Sequence, residues 1–189
     1  MRDKSLRSGE RQYGALLQDV EKWHLWRYRE TLPYVTSKSV ADIGCGVGYG
    51  SRIMSDTAKH VFAIDDSEEA ITFAAKHYTR PNIVFQSSDI QMMTAVDFTG
   101  IEIIVAYEVI EHLSDDGALF RIFASVRPEL VILSTPHLLC PIGGNKFHHR
   151  HYGMDELLNR FNDIGYRPLR AEMQYFGAGL CNFMVMRQT

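Results

Sequence analysis

Apolar residues recur at two spacings along the chain, and the way the spacings alternate predicts its architecture. Between residues 13 and 30, Leu16, Leu17, Val20, Trp23, His24 and Arg27 return at helical intervals, and Pro33 stands just past the expected end. Short β-rich runs follow at 39–43, 60–64, 83–86, 102–106 and 130–134. Helical stretches near 48–58, 68–78, 115–126 and 154–164 separate or follow them. Ser67-Glu68-Glu69-Ala70 has a capping residue followed by acidic first-turn residues, as a helix start should. Strands that alternate with helices and include largely apolar runs such as 101–105 belong to a parallel sheet covered on both faces. The end of the chain differs, because 167–176 and 181–187 read as two strands joined through Gly177-Ala178-Gly179, a hairpin signal. The expected fold class is α/β, a doubly wound, mostly parallel sheet finished by a hairpin, with right-handed crossovers.

Length and composition narrow the class. The chain has 189 residues and 46% hydrophobic positions, enough for one sizeable core, with no linker or repeat to divide it. We expect residues 1–36 to form an N-terminal helical cap on a domain spanning 37–189. A net charge of −3 gives no electrostatic reason to expect a nucleic-acid or membrane partner. Cys45, Cys140 and Cys181 are odd in number and scattered, so they suggest neither a disulfide framework nor a zinc pattern. The start of the sequence lacks the apolar run of a signal peptide, and the expected location is cytoplasmic.

The most informative segment is Val40-Ala41-Asp42-Ile43-Gly44-Cys45-Gly46-Val47-Gly48-Tyr49-Gly50, where an apolar strand runs into glycines and then a helix. Glycines there permit positive φ and close backbone approach to a ligand, and the carboxyl end of the first strand is where open α/β sheets bind ligands. The spacing is not the dinucleotide fingerprint, because Tyr49 occupies the place of its third glycine. Asp42 supports a cationic, amino-acid-like group better than a pyrophosphate, which prefers bare amides. The next strand ends at Asp65-Asp66, about 20 residues on, where a carboxylate can accept from both ribose hydroxyls. After the third strand, Ser88-Asp89-Ile90 offers a carboxylate for an adenine amino group and an apolar side chain for the ring.

These residues together resemble the first three motifs of class I methyltransferases that use S-adenosylmethionine, and the resemblance covers nearly the whole chain. It implies a Rossmann-like sheet of seven strands with an antiparallel strand at its end. It also implies a cofactor site drawn from Asp42, Gly44, Cys45, Gly46, Asp65, Asp66, Ser88, Asp89, Ile90 and Tyr107, with Gly44 and Gly46 against the methionine part. Gly9-Glu10-Arg11, His24-Leu25-Trp26-Arg27-Tyr28 and Gly48-Tyr49-Gly50-Ser51 are further similar to a bacterial subgroup associated with cell-surface sugar metabolism.

The fourth strand leads into Tyr107-Glu108-Val109-Ile110-Glu111-His112, at the edge where a methyl acceptor should sit. A helical turn brings residues three and four apart together, so Glu108, Glu111 and His112 can share a face. With His148, or alternatively His149, from the run Phe147-His148-His149-Arg150-His151, they form a mixed oxygen and nitrogen set suited to magnesium, manganese or zinc. Such an ion lowers the pKa of an acceptor hydroxyl. The element resembles the metal site of small-RNA 2′-O-methyltransferases and the Glu-x-x-Glu-His of ubiquinone-pathway O-methyltransferases. The competing readings have no metal: the Glu-His pair serves cofactor packing or acceptor orientation, or Glu111 and His112 are the catalytic pair with His112 as base or acceptor-positioning group.

The long loop from Pro136 to Tyr152 has the length of a lid or substrate wall, and His151 stands where it can cap the following helix. Trp23, Trp26, Tyr13 and Tyr28 are expected to pack one helix over the cofactor end of the sheet. Arg7 and Arg11 are candidates to reach the cofactor carboxylate. The expected reaction is in-line transfer of a sulfonium methyl to a small molecule, with oxygen favoured as acceptor because of the Glu-His cluster. The alternatives are an RNA-terminus 2′-O-methyltransferase, which the acidic total disfavours, and a non-catalytic cofactor-binding partner protein. A nicotinamide enzyme is disfavoured by Tyr49 and Asp42.

Overall fold

The computed structural model describes residues 6, 12–14, 16–141, 145–176 and 179–189. Arg7, Arg11 and most of the predicted hairpin turn lie outside the described residues. The elements run α1 (Lys22–Val35), β1 (Ser39–Ile43), α2 (Tyr49–Met54), β2 (His60–Asp65), α3 (Glu68–His77), β3 (Ile83–Ser87), β4 (Ile103–Tyr107), α4 (Gly117–Val126), β5 (Leu130–Pro136), α5 (Met154–Asp163), β6 (Tyr166–Phe176) and β7 (Gly179–Gln188). The strands form a seven-stranded sheet of order β3-β2-β1-β4-β5-β7-β6. Neighbours β1–β2, β2–β3 and β4–β5 pair in parallel, whereas β7 runs antiparallel to both β5 and β6. This is the Rossmann-like, mostly parallel sheet with a terminal antiparallel hairpin that the spacing and the resemblance predict. None of the described helices is long and apolar enough to cross a membrane.

The contacts divide the chain into two compact units, residues 1–92 and 93–189. In the first, α1 corrects the predicted helix. A short 3-10 turn at Leu17–Asp19 precedes it, and Val20 is extended. Asp19 accepts the Leu16 N–H at 3.0 Å, a local bond that competes with helix formation. The helix then starts at Lys22 and carries Pro33 within its last turn, ending at Val35. So near the end, a missing N–H removes one backbone bond and leaves the helix intact. Tyr13 consequently lies off the helix and is exposed, while Tyr28 is buried on it. Ser67 caps α3 as predicted, accepting the Ala70 N–H at 3.2 Å.

In the second unit β4 and β5 are buried along their whole lengths. That burial explains why they read as continuous apolar runs rather than alternating ones. The amphipathic helices α4 and α5 meet through aromatic rings. Phe161 lies 5.0 Å from Phe120, 5.7 Å from Phe123 and 6.1 Å from Tyr166 between centroids. Tyr152 donates to Asp116 at 2.9 Å, and Arg160 holds the same carboxylate at 2.9 and 3.2 Å. Burial alone would raise the Asp116 pKa, but the bonds from Arg160 and Tyr152 outweigh it and hold the carboxyl below its ordinary value.

Candidate functional site

In the first unit the residues after β1 form a backbone cradle. The Gly44 and Cys45 amides both donate to the Ile64 carbonyl, at 2.8 and 2.9 Å, which anchors the loop to the end of β2. The Gly46 amide donates to Asp65 Oδ2 at 2.9 Å, and the Ser67 amide to Asp65 Oδ1 at 3.0 Å. Asp65 therefore ties the glycine loop to the start of α3 with one oxygen each. Gly44, Gly46 and Gly48 all have positive φ, at 71°, 56° and 87°.

The glycines differ in what stands in front of them. A Cβ on Gly46 would meet nothing within 4 Å, so open space lies before it. On Gly48 a Cβ would stand 2.7 Å from the Ala74 Cβ, and on Gly50 it would stand 2.0 Å from the Tyr28 ring. Gly46 thus serves the cradle, whereas Gly48 and Gly50 let neighbouring side chains approach closely.

Tyr49, which breaks the dinucleotide spacing, packs edge-on to Tyr28, with centroids 5.7 Å apart. Its hydroxyl lies 3.2 Å from His24 Nδ1. Burial, helped by Arg27, pushes the His24 pKa down to about 3, so this ring stays neutral.

Asp42 is wholly enclosed, with Ser51 Oγ donating to Oδ2 at 2.6 Å and the Tyr28 hydroxyl to Oδ1 at 3.3 Å. Burial pushes its pKa up to about 7, against the two hydroxyl donors and with some help from Asp65. The carboxylate is therefore closed off from solvent and hydrogen-bonded to α1 and α2. Asp66 is half-buried, and Cys45 is buried. Ser88 donates its amide to the Asp65 carbonyl at 2.9 Å. Asp89 is exposed and accepts the Gln91 amide at 2.9 Å, beside the buried Ile90.

In the second unit, β4 ends at Tyr107, a buried ring 6.1 Å from Phe183. Glu108 follows with φ 55°, an uncommon conformation for a residue with a side chain. Ser134 holds it twice, its carbonyl accepting the Glu108 amide at 2.9 Å and its hydroxyl donating to Glu108 Oε1 at 2.7 Å. The 3-10 turn Ile110–His112 then presents Glu111, fully buried, which accepts from Thr135 Oγ1 at 3.0 Å. The Glu111 carbonyl accepts the His149 amide at 2.7 Å, fastening the histidine loop to the turn.

Glu111, His112 and His148 offer ligand atoms that all lie within 4.8 Å of one another. The two imidazoles meet edge-on, 4.7 Å between centroids. Glu108 is not part of this group, so the structure brings together three of the four residues expected to bind a metal. His112 Nδ1 lies 3.2 Å from the Phe147 carbonyl. A carbonyl only accepts, so the neutral ring carries its proton on Nδ1 and leaves Nε2 unprotonated. That tautomer is the one a metal or a transferred proton requires, and the donor set fits a divalent ion. Burial, with His151 close by, holds the His148 pKa below its ordinary value despite the opposing charge of Glu108, which favours the neutral ring.

Ser51, Tyr28, Ser134, Thr135 and His151 also belong to these two sites and were not singled out as site residues from the sequence. Ser134 and Thr135 carried a signal, because they are hydroxyls at the end of an otherwise apolar, buried strand. His151 does not cap α5. The cap is Gly153, without a side-chain bond.

Comparison with known proteins agrees with this layout. Residues 41–129 match the model of a family described as methyltransferase domain. A protein of Mycobacterium tuberculosis named as a probable S-adenosylmethionine-dependent methyltransferase is 29% identical over 170 residues, 84% of this chain. The chain spans 60% of that relative's length. The ubiquinone biosynthesis O-methyltransferase of Coxiella burnetii is 31% identical over 97 residues, covering 50% of this chain and 41% of that protein. Among solved structures, magnesium protoporphyrin IX methyltransferase from Synechocystis with bound SAH superposes with a TM-score of 0.72 at 18% identity, over 88% of this chain and 84% of that one.

Proposed function

We propose that the chain is a class I S-adenosylmethionine-dependent methyltransferase that transfers a methyl group to a hydroxyl of a small molecule. S-adenosylmethionine supplies the methyl on a positive sulfur, so the chain's own work is binding, orientation and handling the acceptor proton. Gly44, Cys45 and Gly46 form the cradle for the methionine part, and the open space before Gly46 is the observation that supports it. Asp65, with Asp66 beside it, takes the ribose hydroxyls, and Ser88, Asp89 and Ile90 bound the base. Asp42, once ionised above about pH 7, supports the cofactor's ammonium through its negative charge. Residues 1–36 are the proposed cap, whose helix α1 is held through Tyr28 to Asp42 and sets the same ring against Gly50.

The oxygen assignment rests on one observation, the gathering of Glu111, His112 and His148 within 4.8 Å. Glu111, His112 and His148 are the proposed metal ligands, while Glu108, held by Ser134, stands outside the group. An ion held there would lower the pKa of an acceptor alcohol or phenol. Glu111 is oriented by Thr135 and His112 by the Phe147 carbonyl, so both present fixed groups before any acceptor arrives.

The test is methyl transfer to a panel of phenols, catechols and sugar alcohols, before and after exhaustive chelation, with Glu111→Ala alongside. The proposal expects chelation to abolish turnover, manganese or magnesium to restore it, and Glu111→Ala to resist restoration. Turnover that survives chelation but is lost in His112→Gln would remove the metal and leave His112 as the base. Transfer confined to amines would overturn the oxygen assignment.

A further inference from the structure

The histidine loop contains a second hydrogen-bonded chain, which ends at one of the proposed ligands. His151 Nδ1 lies 2.9 Å from the Cys140 carbonyl oxygen, and His148 Nδ1 lies 2.7 Å from His151 Nε2. The rings of His148 and His151 stand 5.0 Å apart at 64°, so the contact is made through nitrogen atoms rather than by stacking. His151 is buried, and His148 is half-buried.

The carbonyl at the far end gives this chain a direction. Cys140 O can only accept, so His151 donates from Nδ1. A neutral imidazole has one N–H, which leaves His151 Nε2 as an acceptor. His148 must then donate from Nδ1, and its remaining nitrogen, Nε2, is unprotonated. His148 thereby reaches the same tautomer that the Phe147 carbonyl imposes on His112.

We propose that His151 is a positioning residue that fixes His148 in the Nδ1–H tautomer, so that Nε2 is its ligand nitrogen beside Glu111 and His112. The inference rests on the proposed role of that cluster in the site. It gives the close spacing of His148 and His151 a purpose that an exposed, solvated histidine run would not have. It also explains why the loop turns back on Cys140. Without that carbonyl, His151 could present a proton to His148 and reverse the chain, placing the His148 proton on Nε2 and disabling it as a ligand.

The test reads the tautomer directly in the metal-free protein. Protein labelled with 15N-histidine is examined by long-range 1H–15N correlation, and His148 is assigned by the signal lost in His148→Asn. The expected result is an Nδ1–H pattern for His148 in the wild type, disturbed in His151→Phe and retained in His151→Gln, whose amide can both accept and donate. Manganese binding, measured by calorimetry with the ion alone, should weaken about 10–100-fold in His151→Phe and much less in His151→Gln, as expected for loss of an outer partner. An Nε2–H pattern in the wild type, or an Nδ1–H pattern unchanged in His151→Phe, would overturn the proposal. An Nδ1–H pattern that depends on His151, in a protein that binds no manganese, would sustain the relay and remove only the metal reading.

Discussion

Glu108 and Asp42 are both held at an energetic cost, each by a different device. Glu108 adopts φ 55° and is clamped at backbone and side chain by Ser134. A left-handed conformation costs a residue of this kind roughly 1–2 kcal/mol, and such strain gathers at functional sites. Glu108→Asn, which accepts that conformation readily, should therefore keep or raise the melting temperature while lowering methyl transfer. A lower melting temperature together with normal transfer would remove Glu108 from the site.

Asp42 is enclosed, and burial lifts its pKa to about 7. The folded state thus keeps a proton that the unfolded chain releases near its ordinary value of 3.8. Its contribution makes stability fall as pH rises from about 4 towards about 7 and level off above that. Denaturant unfolding across that range should show a shallower fall in Asp42→Asn. Asp116 acts in the opposite sense, because its lowered pKa gives stability that is lost as pH falls through the acidic range. Cofactor affinity should rise with pH through about 7, as an ammonium favours ionised Asp42, and Asp42→Asn should flatten that rise. At this scale Gly44, Gly46 and Asp65 were legible because loop glycines and a strand-end carboxylate have a local signature. The hydroxyls around Asp42 were not, because Tyr28, Ser51 and Asp42 meet only once the chain has folded.

The contact between α1 and α2 separates two kinds of glycine. Gly50→Ala places a Cβ 2.0 Å from the Tyr28 ring, so overpacking should destabilise the fold by about 1–3 kcal/mol. Gly46→Ala meets nothing within 4 Å, and its cost is the positive φ, roughly 1–2 kcal/mol. Thermal melts and cofactor titrations of the two variants should therefore diverge, with Gly46→Ala losing more binding for each degree lost. In the other unit, Phe161 is fully buried between Phe120, Phe123 and Tyr166, and Phe161→Ala should cost roughly 3–5 kcal/mol in chemical denaturation. Strands were the more legible elements, since β1 and the starts of β2, β3 and β5 fall where the apolar runs place them. The first helix was the least legible. Leu16, Leu17 and Val20 keep a helical spacing, but the Asp19 side chain takes a local amide, and Pro33 is tolerated within the last turn.

Along the whole chain, the mostly parallel sheet and its terminal antiparallel pairing were legible in alternating helices and strands closed by a hairpin, whereas the strand order was not. The site was only partly legible from the same pattern. Glu111 and His112 are sequence neighbours, whereas His148 joins them through the His149 amide on the Glu111 carbonyl, a long-range bond that no spacing announces. The family match supports a methyltransferase, and the acceptor has to come from chemistry at the cluster. Calorimetric titration of the protein with S-adenosylmethionine and S-adenosylhomocysteine, with Gly46→Ala as the control, tests whether the glycine loop holds the cofactor. Saturable binding of both in the micromolar range, lost in Gly46→Ala while its fold persists, is the predicted result. A folded wild-type protein that gives no heat with either compound would rule out S-adenosylmethionine as its cofactor.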